Sequence, residues 1–261
     1  MKNKRMQSWR IILTTVLLLA LPLLHAEAAE LYMVKDINSL TYSSIGWFSD
    51  GVLGSVYYFT ASDGIHGEEL WKSDGTEAGT LMVKDINTGA EDSYPSSLTP
   101  VNGQLYFIAS DGTHGQELWR SDGTETGTHM VKDINSGASD SYLSHLTEFN
   151  GQLYFTVDAG TYGEELWKSD GTETGTVMLK KDINIVGDVA LWPDSLTECN
   201  GLLYFTVNDG THGEELWKSD GTKEGTLIVK DIRTGTDSSS PRSLTAVNGQ
   251  LYFTADDGIH G

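Results

Sequence analysis

The chain has 261 residues, of which 29 are glycine and 25 are Phe, Trp or Tyr. That is long enough for one or two domains with a large core, and too aromatic for a disordered chain; Gly-rich, aromatic-rich and Pro-poor composition favours short strands joined by tight turns. With 17 Lys and Arg against 37 Asp and Glu the formal net charge is −20, a surface that repels phosphate backbones and anionic lipid, argues against nucleic-acid partners, and leaves cations and basic partners open.

In chain order, a basic stretch from Lys2 to Arg10 leads into an apolar run, Ile11 to Leu24, and then Ala26-Glu27-Ala28. This three-part pattern predicts a secretory signal peptide over 1–28, cleaved after Ala28. The run falls short of the roughly 20 residues of a membrane span, and no cysteine follows it to carry a lipid anchor. The expected product is exported to the periplasm, cell surface or medium, has no membrane span, and carries a charge of −23.

Self-similarity decides the architecture. Trp71, Trp119, Trp167 and Trp217 recur at spacings of 48, 48 and 50. Each stands in Glu-Leu-Trp-(Lys/Arg)-Ser-Asp-Gly-Thr, followed by x-x-Gly-Thr and a Lys-Asp-Ile segment. In the second unit, four strands are predicted at about 97–101, 104–109, 116–121 and 128–134. Asn-Gly alone joins the first pair (102–103, and again at 150–151, 200–201 and 248–249), the strongest short hairpin signal because both residues must take positive φ. Asp-Gly-x-His-Gly and Asp-Gly-Thr-x-x-Gly supply the next two turns, and only the fourth joint is long. Three hairpins and one crossover per unit predict an all-β propeller of four-stranded antiparallel blades over 29–261. A parallel β-helix solenoid would need shorter rungs and no Asn-Gly hairpins.

Two stretches depart from the repeat: Ser43 to Ser55 stands in place of the usual first strand and turn, and Lys180-Lys181 with Ile185 to Trp192 alters the third crossover. Leu31 to Ile37 matches a fourth strand. The sequence ends on a second strand and its turn, so a further Glu-Leu-Trp strand would begin just past Gly261. The expectation is four complete blades and a partial one, in a chain truncated at its C-terminus.

These motifs resemble the ELWxxDGT repeat of secreted and cell-surface bacterial proteins, often labelled hyalin-like, and the strand order resembles kelch blades. Repeat units cover about 31–261. The resemblance implies an extracellular propeller-like array with no assigned catalysis.

Strand direction puts the crossovers and the Asp-Gly-x-His-Gly turns on one face, the better binding surface because its loops are longer and more polar. There Asp63, Asp111 and Asp209 accompany His66, His114 and His212. Such pairs would suit a divalent cation, Ca²⁺ by carboxylate or Zn²⁺ by imidazole, although Ala159 and Tyr162 in the third unit favour turn capping and packing. Asp74, Asp122, Asp170 and Asp220 resemble Asp-box turns and read as turn structure rather than cation sites. Trp71, Trp119, Trp167 and Trp217 could be sugar platforms, but a Trp at the same point of every unit fits core between blades better. Trp47 and Trp192 lie outside the repeat columns, and Trp192, in the altered crossover, is the best single candidate for a ligand contact. The lone Cys199 falls in a column with Val101, Phe149 and Val247 and reads as a small buried apolar residue rather than a reactive thiol.

No Gly-x-Ser-x-Gly, His-Glu-x-x-His or phosphate loop is present, nor a unique carboxylate pair. The expected function is a non-enzymatic scaffold binding an extracellular protein or glycan through one face, without a cofactor. A Ca²⁺-stabilised surface or matrix protein is the alternative, and a carbohydrate-active enzyme with its catalytic part elsewhere is a third.

Overall fold

A computed structural model of the chain describes residues 33–38, 45–158, 164–179 and 196–260, with the backbone alone for 45–49. The signal-peptide segment, most of the altered crossover, Ala159, Tyr162 and Trp192 lie outside the described residues. The described strands are β1 (Ile45–Leu53), β2 (Val56–Ser62), β3 (Glu68–Ser73), β4 (Leu81–Lys84), β5 (Ser96–Val101), β6 (Gln104–Ser110), β7 (Gln116–Ser121), β8 (His129–Lys132), β9 (Leu143–Phe149), β10 (Gln152–Asp158), β11 (Glu164–Ser169), β12 (Val177–Met178), β13 (Thr197–Cys199), β14 (Leu202–Asn208), β15 (Glu214–Ser219), β16 (Leu227–Lys230), β17 (Arg242–Val247) and β18 (Gln250–Thr254). They form four four-stranded sheets in simple meander order, β1–β4, β5–β8, β9–β12 and β13–β16, and a two-stranded sheet, β17–β18. All pairs are antiparallel, and no helix occurs among the described residues.

Turn chemistry sets the meander. Asn102 and Gly103 have φ of 50° and 79°, and the other three Asn-Gly pairs repeat these signs, as the two-residue hairpin demands. The first unit departs less than its sequence predicts. It keeps a first strand, β1, closed by Gly54 (φ 64°) and Ser55 in place of Asn-Gly.

Strand alternation gives each sheet two apolar faces. One carries the pair Phe107↔Trp119 with Leu105. It packs on the opposite face of the preceding sheet, made of Tyr58, Leu70 and Val83. The same arrangement recurs between the second and third sheets and between the third and fourth. Burying each such Phe or Leu contributes roughly 1.5–3 kcal/mol, so packing between sheets dominates the stability of an array without disulfides. Polar links follow the same step: Lys72 Nζ donates to Gly123 O at 2.7 Å, and Lys84 Nζ and Lys132 Nζ donate to Thr128 O and Thr176 O, each at 2.9 Å. First strands adjoin along the array, β1 on β5, β5 on β9 and β13 on β17, so the sheets converge on them. Cys199 is buried at the end of one of these strands.

Residues 33–38 stand where a preceding sheet's fourth strand would be, but are not strand. Lys35 Nζ donates to Thr80 O at 2.7 Å, as Lys84 and Lys132 do one unit further on, and Ile37 packs on Phe59, Ala61 and Trp71. The described residues hold no third strand for this segment to pair with, so the side-chain contacts form without the ladder.

Candidate binding face

Antiparallel order places the crossovers and the Asp-Gly-x-His-Gly turns at one end of the sheets, and the two loop types touch. A Cβ at Gly67 would overlap the backbone at Glu91, and Gly115 and Gly213 are similarly pressed on 139–140 and 237–238. Each turn closes through its own aspartate. Asp63 Oδ1 accepts from the amides of Ile65 (2.8 Å) and His66 (2.9 Å), while Oδ2 lies 2.8 Å from His66 Nδ1. Asp111–His114, Asp209–His212 and Asp257–His260 repeat the motif. Against the cost of burial, the hydrogen bonds from His66 and Ile65 hold the Asp63 carboxyl below its ordinary range, and the Asp63 hydrogen bond lifts His66 above its own. Among the described residues no group of three or more His, Cys, Asp or Glu comes together to hold a metal.

Behind these turns lies a column that sequence reasoning missed. Glu69, Glu117, Glu165 and Glu215 are buried. Glu69 accepts from the amides of Ile86 (3.0 Å) and Asn87 (3.2 Å) and from Ser93 Oγ (2.6 Å). Glu117 takes Ile134 N at 2.9 Å and Ser141 Oγ, and Glu215 takes Ile232 N, Ser239 N and Ser239 Oγ. Each of these three therefore fastens the crossover leaving its sheet, and burial pushes Glu69 up to about 7 and Glu117 up to about 6. A signal was present: a Glu before every Leu-Trp, seventeen residues ahead of an Ile whose amide needs an acceptor.

Where the crossover turns down into β5, β9 and β17, the backbone enters the left-handed region at non-glycine residues: Tyr94 (φ 50°), Tyr142 (φ 44°) and Ser240 (φ 46°). Bulky side chains rarely adopt this conformation. Both tyrosines are open to solvent, 54% and 67% exposed, beside the convergence of first strands. An Asp92 hydrogen bond raises the Tyr94 phenol above its ordinary value. Tyr94, Tyr142 and Ser240 each stand four residues before the leucine of the first strand (Leu98, Leu146, Leu244), and so does Trp192 before Leu196. In sequence position alone Trp192 matches this column; the residue itself lies outside the described residues.

Around that column the units differ. In the third sheet Ser144 Oγ lies 2.8 Å from His145 Nδ1 and 2.7 Å from Glu164 Oε1, and Thr156 Oγ1 also donates to Glu164. A Ser-His-carboxylate relay needs Ser and carboxylate on opposite ring nitrogens. Here Glu164 Oε1 approaches the same Nδ1, at 3.8 Å, so the group is a hydrogen-bonded node. At the fifth sheet the Arg242 guanidinium grips Glu214 at 2.5 and 3.0 Å.

The Asp74 column lies at the opposite end. Asp74 Oδ1 accepts from Thr76 N (2.9 Å) and Thr76 Oγ1 (2.7 Å), Gly79 N donates to Thr76 Oγ1, and Thr80 Oγ1 donates to Thr76 O. A Cβ at Gly79 would overlap the Asp74 carboxylate, and Asp122–Gly127, Asp170–Gly175 and Asp220–Gly225 repeat the relation. This network accounts for every polar letter of Ser-Asp-Gly-Thr-x-x-Gly-Thr, since Gly75 N also caps on Ser73 Oγ. Trp119 and Trp217 are buried and Trp167 half-buried in the packing between sheets, and Trp71 is buried beside Phe59 and Ala61 with Ile37 of the 33–38 segment packed on them.

The class these features define is a tandem array of four-stranded antiparallel sheets with one loop-rich face. No family model and no curated protein matches the chain. Among solved structures it is similar to a puromycin hydrolase S511A mutant complexed with PGG (17% identity, TM-score 0.48, 78% of this chain and 33% of that one). It is also similar to a structure from an analysis of two prolyl endopeptidases (16%, 0.48, 84% and 33%), and to an engineered GH43 glycoside hydrolase (15%, 0.32, 84% and 48%). The chain spans a third to a half of the length of these structures.

Proposed function

We propose that the chain is a non-enzymatic scaffold of the β-propeller type, exported by way of residues 1–28, that binds an extracellular glycan or protein through its crossover face. The observation that carries this reading is the pair Tyr94 and Tyr142. The complete units bury most of their Tyr, Phe and Trp strand residues for packing, whereas these two rings stand in solvent on strained backbone at equivalent points of neighbouring units. An exposed ring on unfavourable backbone gains nothing for folding, and rigid amphipathic rings suit contact with ligands. Acidic neighbours Glu68, Glu91 and Asp92 disfavour uronate or sulfated chains and favour neutral or amino sugars, or a basic protein surface.

The test is affinity electrophoresis through neutral, amino-sugar and uronate polysaccharides, with a basic-protein panel alongside. Wild type is retarded by at least one neutral or basic ligand. The Tyr94→Ala, Tyr142→Ala double variant loses tenfold or more in affinity with its unfolding midpoint within a few degrees. Binding that survives the double substitution unchanged refutes the reading.

A second reading, a calcium-stabilised surface or matrix protein, rests on Asp85, Asp133 and Asp231. In each, one oxygen takes a glycine amide and the other is buried without a hydrogen-bond partner among the described residues. An unchanged melting curve between EDTA and millimolar calcium removes it.

A further inference from the structure

The third sheet differs from its neighbours at one point of the crossover face. β5, β9 and β17 each hold one left-handed residue at a break in register with the second strand: Ser97 (φ 55°), His145 (φ 55°) and Ser243 (φ 57°). The shared φ belongs to the fold, so the imidazole is what differs. Ser144, Thr156 and Glu164 surround it, where the second sheet has Ser96, Ile108 and Gln116.

Proton positions in this node follow from its donors. Ser144 Oγ (2.7 Å) and Thr156 Oγ1 both donate to Glu164 Oε1, because an ionised carboxylate only accepts and takes the stronger, charge-assisted bonds. With both hydroxyl protons committed, the 2.8 Å contact between Ser144 Oγ and His145 Nδ1 is made by a proton on Nδ1. The bond at one ring nitrogen fixes the tautomer, so the neutral imidazole keeps a bare lone pair on Nε2. Nε2 has no hydrogen-bond partner among the described residues and reaches solvent, although the side chain as a whole is only 24% exposed. Glu164 Oε2 is likewise unpartnered and open, and its Oε1 lies 3.8 Å from His145 Nδ1. Among the described residues no third metal-ligating side chain joins them, so the pair suits hydrogen-bond donors rather than a metal ion.

We infer that this node is a recognition site for an amino sugar of a glycan, whose ammonium bonds Glu164 Oε2 while the neighbouring hydroxyl donates to His145 Nε2. A charged donor beside a neutral one matches a carboxylate beside a neutral imidazole. A plain hexose brings no ammonium to the carboxylate, and an N-acetylated one replaces it with a neutral amide. The exposed ring of Tyr142, two residues before Ser144, adds an aromatic face of the kind that attracts cations. The inference rests on the crossover-face reading and names the ligand chemistry of that face at its third unit.

The probe is a β-1,4-linked glucosamine tetramer titrated calorimetrically into the whole chain at neutral pH, beside the glucose tetramer, the N-acetylglucosamine tetramer and tetralysine. The glucosamine tetramer should bind saturably and about tenfold tighter than each of the others, the worth of one hydrogen bond to a charged group. Two substitutions use residues the chain itself places at these positions: Glu164→Gln, as at Gln116, and His145→Ser, as at Ser97 and Ser243. Glu164→Gln should bring the glucosamine and glucose tetramers to equal affinity. His145→Ser should weaken the glucosamine tetramer by about tenfold, and neither change should move the melting point. Long-range ¹H–¹⁵N spectra should show His145 as the Nδ1–H tautomer, a preference that Ser144→Ala removes. An Nε2–H tautomer in the wild type overturns the inference, as does absent saturable binding or equal affinity for the glucosamine and glucose tetramers. So does tetralysine binding as tightly, because the occupant is then a basic peptide. An amine preference that survives Glu164→Gln, with all sugar binding lost in the Tyr94→Ala, Tyr142→Ala double variant, sinks this inference and leaves the crossover-face reading standing. An amine preference abolished by Glu164→Gln but kept in the double tyrosine variant does the reverse.

Discussion

Replacing Glu69 by glutamine should change how stability depends on pH more than stability itself. The Glu69 carboxyl is fully buried and is pushed up to about 7 by burial, against the pull of Ser93, Ile86 and Asn87. A carboxyl whose folded pKa is raised contributes stability that is complete below the ordinary carboxylate range. That stability is lost as pH rises through the folded value. Between pH 5 and pH 8 the loss at Glu69 amounts to roughly 3 kcal/mol at 1.36 kcal/mol per tenfold shift. Geometry shows why protonation is tolerated: Oε2 keeps the 3.0 Å bond from Ile86 and the 2.6 Å bond from Ser93, and a proton on Oε1 displaces only the 3.2 Å bond from Asn87. The carboxamide of the Glu69→Gln variant is neutral throughout. Because a repeat array need not unfold in two states, a local probe is the right one, namely amide exchange of the 86–93 segment corrected for intrinsic rates. Wild type should lose protection by about two orders of magnitude from pH 5 to pH 8, while Glu69→Gln should vary little and match wild type most closely at pH 5. An equal pH slope in the two proteins refutes the assignment of that slope to Glu69.

Two further outcomes follow from the turns. Gly127→Ala places a methyl where the Asp122 carboxylate sits, without demanding positive φ, so it should cost about 1–3 kcal/mol by evicting that side chain. Combined with Asp122→Ala it should be strongly non-additive in urea unfolding, because both changes break one network, and additivity would disprove the steric account. His66 should titrate above its ordinary value in ¹³C-detected NMR and return to it in Asp63→Asn. An unshifted His66 in the wild type would contradict the 2.8 Å contact.

Much of the architecture is legible from residues that have one physical use. Asn-Gly fixes hairpins through two positive φ values, Glu-Leu-Trp marks the third strand, and Asp-Gly-Thr-x-x-Gly spells its turn because the last glycine makes room for the aspartate. β1 is less legible because Gly54-Ser55 closes it without Asn-Gly. The buried glutamates are opaque for a different reason. Glu68 and Glu69 are adjacent and chemically identical, alternation sends them to opposite faces, and only the second meets the amides of a crossover about seventeen residues away. That partner is tertiary, so the only trace of it in the sequence is the recurrence of Glu before every Leu-Trp, seventeen residues ahead of an Ile. The Tyr94 and Tyr142 column is hidden by the third crossover, whose two extra residues shift Trp192 out of the 48-residue spacing measured from tryptophan to tryptophan.

The same repetition that makes the fold legible says where to look for function. A side chain found at every unit satisfies a need that every unit has: the indoles pack sheets, the turn aspartates close loops, the buried glutamates fasten crossovers. Recognition needs difference, or repetition on a surface that folding does not use. The crossover face offers both. Its column runs Tyr94, Tyr142 and then Ser240, and its flanks change from a carboxylate cluster at Glu68 and Asp92, through the Ser144–His145–Glu164 node, to the Arg242–Glu214 pair. A ligand lying across successive units would meet aromatic rings at one step and a changing polar edge beside them, which is how a rigid repeat array can be selective along its length. Exchanging the flanks should therefore alter which ligand is bound without moving the melting point, whereas exchanging any buried column residue should do the reverse.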